Sequence, residues 1–588
     1  MVDFRKCFAE QSENNVARRV LRRINTTIRN PNVRRLLSFF TIGRILDVVL
    51  LINDNHKVLT KHIMVSIKRL GLAGSCTFSI GLISYSIGFP AMLKSQVKSQ
   101  VRLKKGEEIR GFWEKLPQPL DFNIYVFNVT NPKEITAGAK PIVQEVGPFH
   151  YDLYRDKENL VDRDEDDTVE YSLRQVWYFN SAKSSASENA EIYAFHPVML
   201  AVTLLTQIEK PAALGVVSKA LDSVFKKPDS MFIKTTVKEL FFDGVRFSCV
   251  DIKDFAGSAL CGVLQEKSDT FILEGDSRYR YGYFSKTNGT QVPKSIRVYR
   301  GIKNSKDVGR MYSLGNATKM DTWPGSPCND LHGTDGTIFP PFLTKNKEVW
   351  AHFPDICRSI GAYYVEPGKV QGFKTLHYTA DLGDPSENKN VRCLCLEPEG
   401  CMPKNIYNAG PCLRVPIRIS LPHLLNSDPH YYEMIEGLNP DPEDHELDMD
   451  FEPMTATPMR AHKRLQFNMF IQPVPKIKLM KNFPEALLPL FWVEEGVLLP
   501  DEFVNKVKIV FKAQAAVGFL KWLMVLGGIG MMGAAGVLQY KNRDSGKLEI
   551  TKVTPKEAGS GNEEKKGWPP GMNISTISAS VPPNLDRN

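Results

Sequence analysis

The sequence predicts a membrane protein in which two transmembrane α-helices flank a large β-rich body, and three observations carry that prediction. An uncharged apolar run covers 71–93, and a second covers 515–538, broken only by Lys521 near its start. Each is long enough to cross a bilayer as a helix, which takes about 20 residues at 1.5 Å rise per residue. Eight of the ten cysteines lie between the two runs, an even number that suits a disulfide framework in an oxidising compartment. Apolar and polar residues alternate in several segments of the same stretch, the period of half-buried strands. Two spans place both termini on one side and leave the middle as a doubly anchored exterior domain.

Residues 1–69 form a basic segment, with arginines at 18, 19, 22, 23, 34 and 35. It reads as a cytoplasmic, membrane-surface lead rather than a nucleic-acid arm. The span at 70–93 lies too deep for a secretory signal and has no small-residue cleavage site after it, so it is expected to be an uncleaved anchor. Lysines and arginines flank this span on both sides (Lys61, Lys68 and Arg69 before it; Lys94, Lys98 and Arg102 after it), which makes the positive-inside rule ambiguous there. Lys541, Arg543 and Lys547 after the second span favour a cytoplasmic tail, and the cysteines decide for termini inside. The exterior body is expected over 94–514. The second span is expected over 515–538, and a disordered tail rich in Lys, Glu, Ser, Gly and Pro over 539–588.

Within the body, Phe122, Ile124 and Val126 alternate with polar neighbours, as do Val415, Ile417, Ile419 and Leu421, and Leu465, Phe467, Met469 and Ile471. These are predicted half-buried strands. The stretch 196–240 differs: Pro197 stands at a helix start, and PVMLAVTLLTQI, SKALDSVF and MFIKTTVKELFF read together as a helical insert. Net charge is +9 on 588 residues and mean hydropathy is −0.24, values that exclude a polytopic transporter and give no nucleic-acid footprint.

Candidate chemistry is sparse. A zinc reading of Cys393, Cys395, Cys401 and Cys412 lacks the usual C-x2-C knuckle spacing. Sequons at Asn128, Asn288 and Asn316 fit a glycosylated exterior, although Asn25 and Asn573 match the same pattern in segments expected in the cytosol. Asp162, Asp164 and Asp166 open like a calcium loop, but Asp167 stands where the turn needs Gly and Leu173 where it needs Glu, so a solvated acidic loop is expected. Asp441, Glu443, Asp444 and Glu446 read as a surface turn. His196, His377 and His462 are scattered, and neither a nucleophile elbow, an H-E-x-x-H pair nor a phosphate-cradling glycine loop occurs. The sequence therefore predicts no enzyme, no cofactor and no metal.

CNDLHGTDGTIFPPF (328–342), DICRSIGAYY (355–364), RCLC (392–395), ISLPHLL (419–425), EGLNPDPEDH (436–445) and KRLQFNMFI (463–471) resemble the CD36 family of class B scavenger receptors. FNIYVFNVTNPKEI (122–135) and QEVGPFHYD (144–152) do so as well, and the resemblance covers about 70–540. Within that family, KELFFDGVRFSCV (238–250) and the extra pair Cys249 and Cys261 look most like the insect sensory neuron membrane proteins, with a lean to their second type. The first 60 or so residues depart from the family pattern, which begins just before the first span.

The resemblance implies an antiparallel barrel-like ectodomain with an α-helical apex bundle at 196–240 and an apolar tunnel leading toward the bilayer. It implies disulfides Cys328–Cys393, Cys357–Cys412 and Cys395–Cys401, and it leaves Cys249 and Cys261 as a further pair. The function it implies is a chemosensory receptor, olfactory or pheromone-sensing, that binds hydrophobic lipid-derived ligands and delivers them toward the membrane or an odorant receptor channel. Odorant-binding proteins would then be partners, and the plasma membrane of chemosensory neurons or support cells the location. A general scavenger receptor for lipoproteins, apoptotic cells or microbial surfaces is the alternative, and an adhesion glycoprotein without a tunnel is a third. Lys226 and Lys227 fall where the family carries ligand-contacting lysines. They read either as a cationic mouth for anionic lipid or carrier or as an ordinary helix end. Gly530 and Ala534 form one small-xxx-small pair, either packing the two spans together or docking a receptor channel.

Overall fold

Thirteen of the strands assemble into one antiparallel sheet. The computed structural model describes residues 56–267, 269–397 and 400–550, so the basic lead up to residue 55, with Asn25, and the tail from 551, with Asn573, lie outside the described residues. The strands are β1 Leu120–Val129, β2 Val143–Arg163, β3 Thr168–Phe179, β4 Glu191–Phe195, β5 Phe232–Thr236, β6 Val245–Ser248, β7 Ile272–Leu273, β8 Arg278–Tyr281 and β9 Ile296–Tyr299. They continue as β10 Met311–Leu314, β11 Val349–Phe353, β12 Arg358–Val370, β13 Phe373–Ala380, β14 Tyr407–Asn408, β15 Ile417–Ser420, β16 Leu447–Glu452, β17 Thr457–Ile471 and β18 Ala486–Leu498.

The large sheet runs β10-β9-β3-β2-β1-β18-β17-β16-β13-β12-β11, with β15 on β17 and β14 on β15. Its two edges are joined by residues 333–335. Met311 N donates to Gly333 O (2.9 Å) and Asp335 N to Gly309 O (3.0 Å) on the β10 side. Thr334 N donates to Trp350 O (2.9 Å) and His352 N to Thr334 O (2.8 Å) on the β11 side. The sheet is thereby nearly closed into a barrel, and neither edge is left as an open template. Gly333 makes this clasp possible. Its φ is +89°, and a Cβ there would stand 2.2 Å from the Trp350 carbonyl oxygen.

Strand residues around 122–126 alternate as predicted: Phe122, Ile124 and Val126 are buried. The other two patterns require a correction, because they are not half-buried. In β15 the polar Arg418 and Ser420 are buried along with Ile417 and Ile419, and in β17 Gln466 and Asn468 have no exposure. These polar groups satisfy one another. Asn468 Nδ2 donates to Ser420 Oγ (3.0 Å) and the Arg418 carbonyl (3.1 Å), Gln466 Nε2 to Asn468 Oδ1 (2.7 Å), and Arg418 Nη1 to Asn408 Oδ1 (2.7 Å). Burial of such a row is tolerated only when every member is paired.

The stretch 196–240 is also corrected. Its first two segments are the helices Pro197–Glu209 and Leu214–Val224, but its third carries β5, which pairs with β4. Phe-Ile-Lys-Thr-Thr is rich in β-branched residues, and a waiting edge at β4 lets strand pairing win. A third helix, Phe255–Glu266, follows β5 and β6 and packs with the first two through Val198, Ala220, Val224, Leu260 and Leu264. Asp254 caps it by accepting from Gly257 N (2.8 Å).

Residues 84–518 form one compact unit, and the remaining described residues form a second. The second unit contains the helix His56–Ile83 and residues 519–550 of the long helix Asp501–Ile550. These helices approach most closely at glycine. A Cβ on Gly74 would stand 2.9 Å from Gly528 O, and one on Gly528 2.7 Å from Phe78 N. A Cβ on Gly530 would meet nothing within 4 Å, so the packing contact lies at Gly74 and Gly528 and not at the Gly530–Ala534 pair. In the larger unit, Ser84–Gly88 form a π-turn ahead of Pro90, whose ring would clash with the carbonyl four residues back in a regular helix.

Two buried histidines record the polarity of the interior. His196 caps the Pro197–Glu209 helix, its Nδ1 accepting from Met199 N, and burial pushes it to about 4. His352 in β11 sits beside Ser359 Oγ (3.0 Å) and is likewise pushed to about 4 by burial.

Two outcomes are expected. Gly333→Val should cost on the order of 2–3 kcal/mol through the left-handed backbone and the carbonyl clash, read as a drop of several degrees in thermal midpoint. Unchanged melting would mean that the clasp is dispensable. Because both histidines titrate lower when folded than the ordinary 6.5, the unfolded chain binds more protons between 6.5 and 4. Stability should therefore fall as pH falls through that window, by about 1.4 kcal/mol per unit for each histidine, and His196→Asn, which keeps a cap, should flatten the slope in chemical-denaturation titrations.

Candidate functional site

The acidic loop lies between two long strands. It is the β2–β3 hairpin, and arginines meet its carboxylates: Arg300 reaches Asp164 (2.6 Å) and Asp162 (3.4 Å), Arg110 reaches Asp162 (3.1 Å), and Arg297 pairs with Asp166. Asp164 and Glu165 are exposed, and arginines of the same chain neutralise the loop's aspartates. In the run 441–446, Asp441 caps the short helix Pro442–His445, accepting from Glu443 N (2.9 Å). His377 and His462 face Asp450 (3.5 Å) and Asp448 (2.9 Å) on neighbouring strands.

Sulfur atoms join Cys249 to Cys261, Cys328 to Cys393, Cys357 to Cys412 and Cys395 to Cys401. The first ties the end of β6 to the Phe255–Glu266 helix. The other three tie the loops that flank β11, β12 and β13, over 328–357 and 393–412, to one another. Asn316 is exposed, whereas Asn128 and Asn288 are half-buried, with Oδ1 accepting from Tyr193 N (2.8 Å) and Trp177 N (3.2 Å).

Lys226 and Lys227 end the Leu214–Val224 helix. Both are exposed and both adopt left-handed backbone (φ 58° and 54°). Lys227 N donates back to Asp222 O (2.7 Å) and closes the last turn. Among the described residues neither lysine has a carboxylate partner.

Two hollows belong to the larger unit, the larger of them open to the outside. One is small, about 10 Å³, walled by Phe127, Phe195, Leu240, Tyr283 and Phe491 in the aromatic interior, about the room of one water. The other measures about 750 Å³ and is walled by Phe342, Leu343, Phe373, Pro453, Met454 and Ala515. That volume lies in the range of pockets that hold small ligands. Its frame is backbone: Phe342 N donates to Met454 O (3.0 Å) and Leu343 N to Pro453 O (2.8 Å). The two hollows share no lining residue.

Charge at the larger cavity is one-sided. Lys374, Lys508 and Lys512 line it, are exposed, and have no carboxylate partner among the described residues. Glu452 also lines it, but its oxygens are taken by Met454 N (2.9 Å) and by Thr455 N and Oγ (2.8 and 2.6 Å). Lys508 and Lys512 are one turn apart on the long helix, and the apolar span in that helix begins at Gln514. At 1.5 Å per residue, Lys512 stands roughly 3 Å and Lys508 roughly 9 Å before the span. The sequence reading missed these three lysines. The i,i+4 spacing of two of them just before an apolar run is the signal that could have found them, while Lys374 arrives only through the β13 pairing.

A model of the CD36 family matches residues 72–539. The chain is 50% identical to sensory neuron membrane protein 1 of Apis mellifera, over 89% of this chain and 99% of that protein. It is 38% identical to the protein of the same name from Ostrinia furnacalis, over 88% and 98%, and 37% identical to that from Plutella xylostella, over 82% and 93%. These relatives carry the type 1 name, so the lean toward the second type gains no support from them. With two apolar helices at the ends, a nearly closed antiparallel sheet between them and a match of this extent, the chain belongs to the CD36 family.

Proposed function

We propose that this chain is a chemosensory receptor that takes up hydrophobic, lipid-derived ligands and passes them toward the membrane or an odorant receptor channel. The observation that carries the reading is the apolar cavity of about 750 Å³, rimmed by Lys374, Lys508 and Lys512 and adjoining the start of an apolar span. The names of the relatives support the sensory assignment. On this reading the protein sits in the plasma membrane of chemosensory neurons or support cells with both termini cytoplasmic. The three sequons carry glycans, the four disulfides hold the exterior body, and odorant-binding proteins present the cargo.

The physics asks for no bond chemistry. A twelve-carbon chain buries about 300 Å² of apolar surface, and at about 25 cal/mol per Å² this favours an apolar cavity over water by about 7 kcal/mol. The lysines add selectivity for a carboxylate, ester or anionic carrier at the open end. Lys226 and Lys227, exposed and without carboxylate partners, serve as the first capture point, where electrostatic attraction raises the rate of encounter more than the final affinity.

Three outcomes are expected. Filling the cavity with Leu343→Trp and Met454→Trp should weaken binding of a fluorescent long-chain fatty acid to the purified full chain by about tenfold or more; unchanged affinity rejects the cavity as the binding place. Replacing Lys226 and Lys227 with Glu should slow capture of the same probe several-fold at low salt and abolish the salt dependence of the rate, whereas an unaltered rate identifies an ordinary helix end. Receptor-expressing sensory cells lacking the protein should lose responses to lipid-derived odours, and intact responses in such cells would leave the general scavenger reading in possession.

A further inference from the structure

The register between β1 and β2 sets Asp121 opposite Asp152 and Asn123 opposite His150. Hydrogen bonding then fixes the histidine's tautomer from a distance. Glu494 can only accept, so Asn123 turns its Nδ2 toward Glu494 Oε1 (2.9 Å). That leaves Asn123 Oδ1 facing His150 Nδ1 at 2.7 Å, and a carbonyl oxygen there requires Nδ1 to carry the proton. In the neutral ring Nε2 is therefore bare. It is buried, it has no hydrogen-bond partner, and the His150 side chain is only 5% exposed.

What faces this nitrogen is two carboxylates. Asp121 Oδ1 stands 3.3 Å away and Asp152 Oδ1 3.4 Å away, neither aligned as a hydrogen bond. A bare lone pair held between two anions is repulsive unless a cation or a proton lies between them. The spacing matches metal geometry: ligand atoms about 2.0–2.1 Å from a tetrahedral ion are separated from one another by about 3.3–3.4 Å. We propose that Asp121, His150 and Asp152 form a binding site for a zinc-like divalent transition cation, with the remaining position open to water.

The surroundings fit the proposal. Asn123 orients the histidine as an outer partner, and Asn180 Nδ2 orients Asp152 through its other oxygen (3.0 Å). A ring nitrogen among the ligands favours zinc over calcium or magnesium, which take oxygen. Lys183 Nζ, 2.7 Å from Asp121 Oδ1 and 4.0 Å from Asp152 Oδ1, is the competing cation, on a side chain about half exposed and free to swing away. Two other clusters of similar composition lack this preparation. His423 and His445 accept through Nδ1 from Asn439 N and Asp441 N, so their Nε2 atoms carry protons and cannot ligate. Asp448 and Asp450 are occupied by Arg460 and Arg464.

The site stands apart from the lipid reading, and its test is independent of ligand uptake. The full chain in detergent, without a histidine tag, is titrated with Zn²⁺ by calorimetry and by thermal shift, with Ca²⁺ and Mg²⁺ as controls. Zn²⁺ should raise the thermal midpoint where the controls do not. Asp121→Asn, at a side chain 47% exposed, should weaken Zn²⁺ binding by tenfold or more, and Lys183→Ala should tighten it several-fold. His150→Gln should abolish binding, and the Asp121 and Lys183 variants keep the question decidable if that buried change impairs folding. Zn²⁺ acting no differently from Ca²⁺, or an affinity unmoved by Asp121→Asn, would overturn the assignment.

Discussion

Closure of the sheet is the constraint on which the rest of this structure depends. An antiparallel sheet that stops leaves a row of unpaired N–H and C=O groups at each edge. Here residues 333–335 satisfy both β10 and β11 at once. Closure also creates an inside. Phe122, Trp177, Phe241, Phe284 and Phe491 come from segments far apart in sequence, yet their rings stack or meet edge to face, with centroids 4.8–5.8 Å apart in the contacts Phe241–Phe491, Trp177–Phe284 and Phe122–Trp177. Such contacts help hold the wall in one register, because a slip of one residue would turn the strand-borne rings Phe122, Trp177 and Phe491 to the other face.

The closed wall sorts the charges as well. Arg155 meets Glu495 through two parallel bonds (2.6 and 2.8 Å) across β2 and β18, and burial, which alone would raise that carboxyl, is outweighed by Arg155, bringing Glu495 to about 2. Arg300, Arg297 and Arg110 pair with the carboxylates of the β2–β3 hairpin. Arginine's planar fork suits fixed pairs of this kind. The lysines at the larger cavity and at the end of the Leu214–Val224 helix are left without such partners, and an unpaired ammonium on a flexible stem is the group suited to meeting anions that come and go.

How much of this is legible in the sequence depends on the range of the interaction. The spans are legible because length and lack of charge are local, and β1 because side chains alternate along one strand. Burial of Gln466 and Asn468 is not, since Asn468 finds Arg418 and Ser420 on β15 and Gln466 accepts from His423 N, all some forty to fifty residues earlier. The helix Phe255–Glu266 escapes because its apolar face is short, and β5 is misread because Met-Phe-Ile-Lys-Thr-Thr suits either state until β4 offers an edge. At the candidate sites the difficulty is the same. Lys374 reaches the cavity through strand pairing, and the preparation of His150 runs through Asn123 to Glu494, which no local pattern joins.

The two hollows differ in what loading them would require. Protein interiors are packed to crystal-like density, and the aromatic interior leaves only about 10 Å³ free. A chain entering there must displace rings such as Phe241 and Phe491, and an opened void costs about 24 cal/mol per Å³ until it is filled. For a passage of a few hundred Å³ that is about 5 kcal/mol or more, comparable to the whole gain from burying a twelve-carbon chain. The larger cavity already exists and carries no such charge against binding. On the proposed lipid reading, movement through the aromatic interior would be limited by ring displacement, which would place the selectivity of a through-route in the wall residues.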